Sequence, residues 1–197
     1  MADRAFVVGI SGIPGAGKSK LMQLLLNDFK QAQAIYYDRY DPGMTEMQIQ
    51  DWSARQGDPN EFVLFGLVEA LRQRTQVPAG GRTRAPVFFE TSFGRAHCAS
   101  GAFIDFLIWI DTPLDVALAR ANLVFLNAAQ RDRTPNAAQN FIGWQTGYML
   151  DYPIIRKVYL NQSKLVASAA DLVLDGLKSA EEWAATVRQA LSARGVG

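Results

Sequence analysis

The chain has one cysteine and one histidine in 197 residues. A lone Cys98 excludes an internal disulfide and agrees with a reducing compartment, where it reads as a small, partly buried filler and not a reactive thiol. His97, in Phe93-Gly94-Arg95-Ala96-His97, is a candidate substrate contact set against the commoner structural use of a single imidazole. An excess of charge is missing too. With 20 Lys and Arg against 19 Asp and Glu, the net charge of +1 supplies no field for nucleic acid or an anionic membrane surface. No apolar run approaches membrane-spanning length, and Met1-Ala2-Asp3-Arg4-Ala5 leads straight into an apolar strand with no room for a signal peptide, so a cytoplasmic location is expected. No repeat or low-complexity tract is visible. The remaining 49% hydrophobic and 20% charged composition suits one well-buried core, too short for two ordinary domains, with one small insertion.

What is present is Gly12-Ile13-Pro14-Gly15-Ala16-Gly17-Lys18-Ser19, between the apolar run Phe6-Val7-Val8-Gly9-Ile10 and the helix-like Leu21-Met22-Gln23-Leu24-Leu25-Leu26. This is G-x-x-x-x-G-K-[ST] at a strand-to-helix junction. Glycines there let consecutive N–H groups turn towards phosphate oxygens, and the helix N-terminus adds partial positive charge. Lys18 would reach the β/γ-phosphates and the Ser19 hydroxyl would ligate Mg²⁺. The phosphate-binding set is therefore Gly12, Pro14, Gly15, Ala16, Gly17, Lys18, Ser19 and Lys20.

Strand and helix patterns alternate along the chain, the mark of a parallel sheet covered on both faces. Strands are expected at residues 6–10, 34–37, 86–90, 106–111 and 170–174. Helices are expected over 19–30, from a Thr45/Gln48 capping box, over 61–74, from Thr112-Pro113 towards Phe125, over 137–160 and over 179–193. Residues 78–84 read as an exposed loop. Trp144, Tyr148 and Tyr152 recur at four-residue spacing, as on a packed helix face.

In open parallel sheets ligands bind beyond the carboxyl ends of the strands. Asp38, Glu90 and Asp111 each end an apolar strand. Phosphoryl transfer needs a carboxylate beside the attacking hydroxyl and oxygens for the metal. Asp38 is the candidate base, with a turn-forming role as the alternative; Glu90 is the candidate metal-side acid, with capping of Thr91-Ser92 as the alternative. Asp111 is explained equally well as helix-entry chemistry. Arg120, Arg131 and Arg133 are candidates to neutralise a transferring phosphoryl group, the last two against a simple solvated cluster. Tyr36, Tyr37 and Tyr40 flank the presumed acceptor site; Tyr40 and Arg95 join Asp38 and His97 as substrate candidates.

In order, these landmarks resemble the uridine kinase and phosphoribulokinase-like branch of P-loop small-molecule kinases, related to nucleoside monophosphate kinases. Tyr37-Asp38-Arg39-Tyr40 is similar to that family's Asp-x-Phe-Tyr acceptor segment, and Phe88-Phe89-Glu90 to its strand-ending Glu. Trp109-Ile110-Asp111-Thr112-Pro113-Leu114-Asp115-Val116-Ala117-Leu118-Ala119-Arg120 is similar to its Asp-Thr-Pro strand end and arginine-bearing helix. Gln162-Ser163-Lys164 and Ala170-Asp171-Leu172-Val173-Leu174 echo its closing turn and final strand.

The resemblance implies a three-layer P-loop NTPase α/β fold: a five-stranded parallel sheet, helices on both faces, an acceptor-side insertion over about residues 38–85 and a small lid over about 127–136. It implies ATP and Mg²⁺ as cofactors, with Arg131 and Arg133 on the nucleotide. Catalysis would fall to Lys18, Asp38, Glu90 and Arg120, and the metal to Ser19 and Glu90. The acceptor would be a small-molecule hydroxyl compound, nucleoside-like or sugar-like, with no nucleic acid or membrane partner; a homo-oligomer is compatible. The pyrimidine-reading hairpin has no counterpart, because residues 76–85 are too few, and Asn122-Leu123 follows Arg120 where further basic residues are common. Uridine is therefore not implied. A nucleotide-binding switch without phosphotransfer and an ATP-hydrolysing module are the competing functions. The absence of an Asn-Lys-x-Asp tetrad counts against a G protein.

Overall fold

The computed structural model describes residues 4–76 and 85–196, apart from the Glu46 side chain. The chain start at 1–3 and the loop expected at 78–84 lie outside the described residues.

Five strands, β1 (Val7–Ser11), β2 (Gln33–Tyr36), β3 (Val87–Thr91), β4 (Phe106–Asp111) and β5 (Leu172–Asp175), form one sheet in the order β2-β3-β1-β4-β5. Every pairing is parallel. β1 and β3 are buried along their whole lengths, as strands covered on both faces must be, and this is why they read as continuous apolar runs. The edge strands β2 and β5 carry exposed positions. Around the sheet lie α1 (Lys18–Asp28), α2 (Glu46–Arg55), α3 (Leu67–Thr75), the single turn α4 (Cys98–Gly101), α5 (Leu114–Arg131), α6 (Ala137–Ala167) and α7 (Ala180–Ser192). α1 and α7 pack together, burying Leu21, Met22 and Leu25 on one and Trp183, Val187 and Leu191 on the other.

Local chemistry sets most boundaries. Thr45 and Gln48 form the capping box expected at the start of α2, and Ser179 and Glu182 form another at α7. The helix expected from residue 61 begins at Leu67 instead. The Glu61 carboxylate is taken by Arg55 at 2.9 and 2.5 Å and by the Asp58 N–H at 2.9 Å, which closes a short 3₁₀ turn, Pro59–Glu61. Leu64 and Gly66 then take positive φ, so the chain reaches α3 through a bend that buries Phe62 and Leu64.

α5 also runs past Phe125 to Arg131, and α6 continues unbroken across Gly143, Gly147 and Pro153. Together they form a helical hairpin with its turn at residues 132–136. Phe125 packs edge-on to Trp144 at 4.6 Å, and Trp144 stacks on Tyr148 at 5.5 Å. Cys98 is exposed, contrary to its reading as a partly buried filler, because it opens the surface turn α4. No helix among the described residues is long and apolar enough to cross a membrane.

Candidate functional site

The turn from Gly12 to Ser19 leaves the carboxyl end of the central strand β1 and enters α1. Gly15 has φ +82°, and a Cβ there would lie 2.0 Å from the Ala117 carbonyl oxygen; Gly17, at φ +109°, would meet the Trp183 ring at 2.8 Å. Only glycine allows the loop to pass α5 and α7 this closely. Thr112 Oγ1 donates to the Ala16 carbonyl at 3.2 Å and braces the loop from behind. The result is a backbone cradle at a helix N-terminus, with Pro14, Ser19 and Lys20 on its exposed rim.

Lys18 Nζ donates to the Gly12 carbonyl at 2.9 Å and the Ile13 carbonyl at 3.3 Å. Its pKa is lowered by burial, against which the carboxylates of Glu90 and Asp38 hold the charge. Ser19 Oγ donates to Glu90 Oε1 at 3.2 Å. Glu90 faces Ile10 of β1 and Tyr36 of β2 in register, so the carboxyl edge of the sheet carries it between the loop and Asp38. It is 6% exposed, and its Oε2 has no hydrogen-bond partner among the described residues. Burial pushes its pKa up; Lys18 and Ser19 oppose that, while Asp38 adds to it.

Asp38 lies on the 3₁₀ turn Tyr37–Arg39 that ends β2, exposed to solvent. Beside it the Tyr37 hydroxyl is buried with no partner, and burial together with the Asp38 charge pushes its pKa up. Tyr40 is half-buried, next to Gly66. Lys18, Ser19, Glu90 and Asp38 thus form one electrostatic cluster. It includes no group of three or more His, Cys, Asp or Glu that could hold a metal alone among the described residues. A divalent ion, were one held here, would have Ser19 and Glu90 as its protein oxygens and would need further oxygens that this cluster does not supply.

Other expected residues fall elsewhere. Arg95 donates to the carbonyls of Ala169 at 2.8 Å and Asp105 at 3.2 Å and pairs with Asp171 at 2.7 Å. Those partners precede β4 and β5, so Arg95 clamps the amino edge of the sheet, opposite the glycine loop, and does not join the substrate side. His97 is 2% exposed, with its ring nitrogens 2.7 Å from Ser100 Oγ and 2.9 Å from the Phe62 carbonyl; it is a buried fastener and not a substrate contact. Asp111 accepts from Trp109 Nε1 at 3.3 Å on the β4–β5 side of the sheet, away from Asp38.

Arg120 is half-buried and donates to the Gly176 carbonyl at 3.1 Å. Arg131 and Arg133 are exposed at the hairpin turn, and among the described residues no hydrogen bond or ion pair engages either. Tyr37, expected beside Asp38, packs 5.9 Å from the ring of Phe93, a residue that the motifs did not point to.

No protein-family model matches the chain, and no curated protein matches it. Among solved structures, shikimate kinase from Aquifex aeolicus vf5 aligns with a TM-score of 0.52 at 16% identity, over 98% of this chain and 99% of that one. A shikimate kinase from Acinetobacter baumannii in complex with shikimate gives 0.50 at 13% identity, over 99% and 97%. A sugar kinase from Janibacter sp. HTCC2649 gives 0.51 at 11% identity, over 98% and 96%. At these identities the likeness is one of fold: over nearly its whole length, the chain shares the parallel α/β architecture of these solved structures.

Proposed function

We propose that this protein transfers the γ-phosphate of Mg-ATP to a hydroxyl of a small molecule. The observation that carries this reading is the convergence of Lys18, Ser19, Glu90 and Asp38 on one edge of the sheet, with a buried Glu90 oxygen left unpartnered. The kinase fold of the structural neighbours supports it.

The backbone amides of residues 12–19 and Lys18 hold the β- and γ-phosphates, Lys18 exchanging its present carbonyl partners for phosphate oxygens. Ser19 and Glu90 would hold Mg²⁺, which would supply Lewis-acid neutralisation of the phosphate charge. Asp38 orients the acceptor hydroxyl and takes its proton as the new O–P bond forms and the bond from the γ-phosphorus to the β,γ-bridging oxygen breaks, leaving ADP. Arg120 and, from the hairpin turn, Arg131 and Arg133 add positive charge around the transferring group and exclude water. The resemblance to uridine kinases supports phosphotransfer, while residues 76–85 are too few for the pyrimidine-reading hairpin.

The test is Mg²⁺-dependent ADP release over a panel of nucleosides, sugars and alcohols. Asp38→Asn should lose on the order of 10²- to 10⁴-fold in turnover while ATP binding is retained. Full turnover in that variant would remove Asp38 as the base. ATP binding with no acceptor-dependent ADP across the panel would assign a nucleotide-binding switch, and acceptor-independent release an ATP-hydrolysing module.

A further inference from the structure

The hairpin of α5 and α6 does not have the composition of a solvated surface. No residue from Asn122 to Asn161 is buried, yet no Asp, Glu, Lys or Arg occurs from Ala121 to Gln130 or from Thr134 to Leu150, in a chain that is 20% charged. Helices that end in water carry charge on their open side, whereas loss of charge marks the centre of a protein interface.

The two helices use one side of each to hold the other. Phe125 meets Trp144 and Tyr148, and Gln145 Nε2 donates to Asn122 Oδ1 at 2.6 Å. At 100° per residue from those contacts, Ile142, Met149, Leu150 and Ile154 fall on the outward side of α6, and Leu123 and Leu126 of α5 lie on the adjoining flank. All are exposed, Leu150 by 76% and Leu123 by 59%. Together they present roughly 500 Å² of apolar surface, so two such faces pressed together would bury about 1,000 Å² from apolar atoms alone, the size at which a specific interface begins.

The shape of this face is self-complementary. Gly143, Gly147, Leu150 and Ile154 follow one another at steps of four, three and four along one side of α6, the spacing of a helix-pairing seam. A Cβ at either glycine would meet nothing within 4 Å, so packing within one copy does not require them, although each weakens the helix relative to alanine. Against another helix they leave room for a large side chain and a close backbone. A lipid surface would cover the leucines but has no use for the glycines, and residues 134–150 offer no cation to an anionic headgroup.

We infer that the outward face of α6 docks a second copy of this chain. The two α6 helices run antiparallel about a two-fold axis at Leu150, and Ile154 of each copy sits over Gly147 of the other. The contact uses the same patch on both copies and closes as a dimer.

The test is sedimentation of the full chain, without nucleotide, from about 1 µM to 1 mM, where a face of this size should give a concentration-dependent dimer. Gly147→Leu and Leu150→Asp should each weaken it tenfold or more without lowering the melting temperature of the dilute monomer, because both positions face open space. Adding Ile154→Ala to Gly147→Leu should restore part of the loss, since it empties the space opposite the new side chain. In a Cys98→Ser background, Leu150→Cys should cross-link two copies on oxidation. A monomer at every concentration, or a dimer that either Gly147→Leu or Leu150→Asp leaves unchanged, would overturn the inference. So would a monomer that co-sediments with phosphatidylserine–phosphatidylcholine vesicles and is released by Leu150→Asp, which would give the face to a lipid surface. None of these readouts depends on phosphotransfer.

Discussion

The Ser19 hydroxyl donates to one oxygen of Glu90, and the other oxygen of that carboxylate is buried with no partner. A buried acceptor of this kind is costly in a fold that does not use it, commonly 1–3 kcal/mol and more for a charged group. Its place beside the glycine loop suits the metal-side role proposed for Glu90.

Glu90→Gln separates the use from the cost. The amide removes a desolvated charge while keeping the shape, so the melting temperature should hold or rise, whereas Mg²⁺-dependent ADP release should fall by about 100-fold or more, the equivalent of ~3 kcal/mol of barrier. A thermal melt and a magnesium titration check both halves.

The same carboxyl gives a pH dependence of defined sign. Its folded-state pKa lies above the ordinary 4.5, first because burial penalises the anion. The native state therefore holds that proton more tightly than the unfolded chain. The stability it contributes is complete below the unfolded value and is lost as pH rises through the folded one. In urea titrations without magnesium or nucleotide, the wild type should lose stability relative to Glu90→Gln as the pH is raised from 4.5 into the mildly acidic range. The opposite trend would mean that Lys18 outweighs burial.

Gly15→Ala should fail on steric grounds. With φ at +82° and the Ala117 carbonyl oxygen 2.0 Å from the added carbon, the loop or α5 must shift. A loss of roughly 1–3 kcal/mol in denaturant unfolding is expected, with loss of nucleotide binding because the cradle amides are displaced.

Arg95→Ala should behave in the reverse manner. It removes a clamp to Ala169, Asp105 and Asp171 at the edge of the sheet remote from Lys18, so stability should drop by roughly 1–3 kcal/mol while kcat/KM stays within twofold of wild type at a temperature where both are folded. A selective rise in KM for acceptor would put Arg95 back at the substrate.

Much of this was readable in the residues because the forces concerned are local. The glycine loop, the Thr45/Gln48 and Ser179/Glu182 capping boxes and the boundaries of β4 depend on side chains within a few positions of each other. Position along a parallel sheet also follows from chain order, which is why Asp38 and Glu90 could be set at the carboxyl edge. Other features depend on partners far along the chain. The late start of α3 follows from the Arg55–Glu61 pair, and the position of Arg95 from carbonyls about 10 and 74 residues on. His97 could not be told apart from a ligand contact until Phe62 and Ser100 were seen on its two nitrogens.

The continuity of α6 has a mechanical corollary. At 1.5 Å per residue its 31 residues make a rod roughly 46 Å long. Near one end Gln162 is tied to the Ser92 carbonyl beside Phe93, and at the other is the turn carrying Arg131 and Arg133. By leverage, a tilt of about 5° about Gln162 swings that tip by roughly 3 Å. The hairpin's sweep and the footing of the aromatic wall next to Tyr37 are thereby geared to one another.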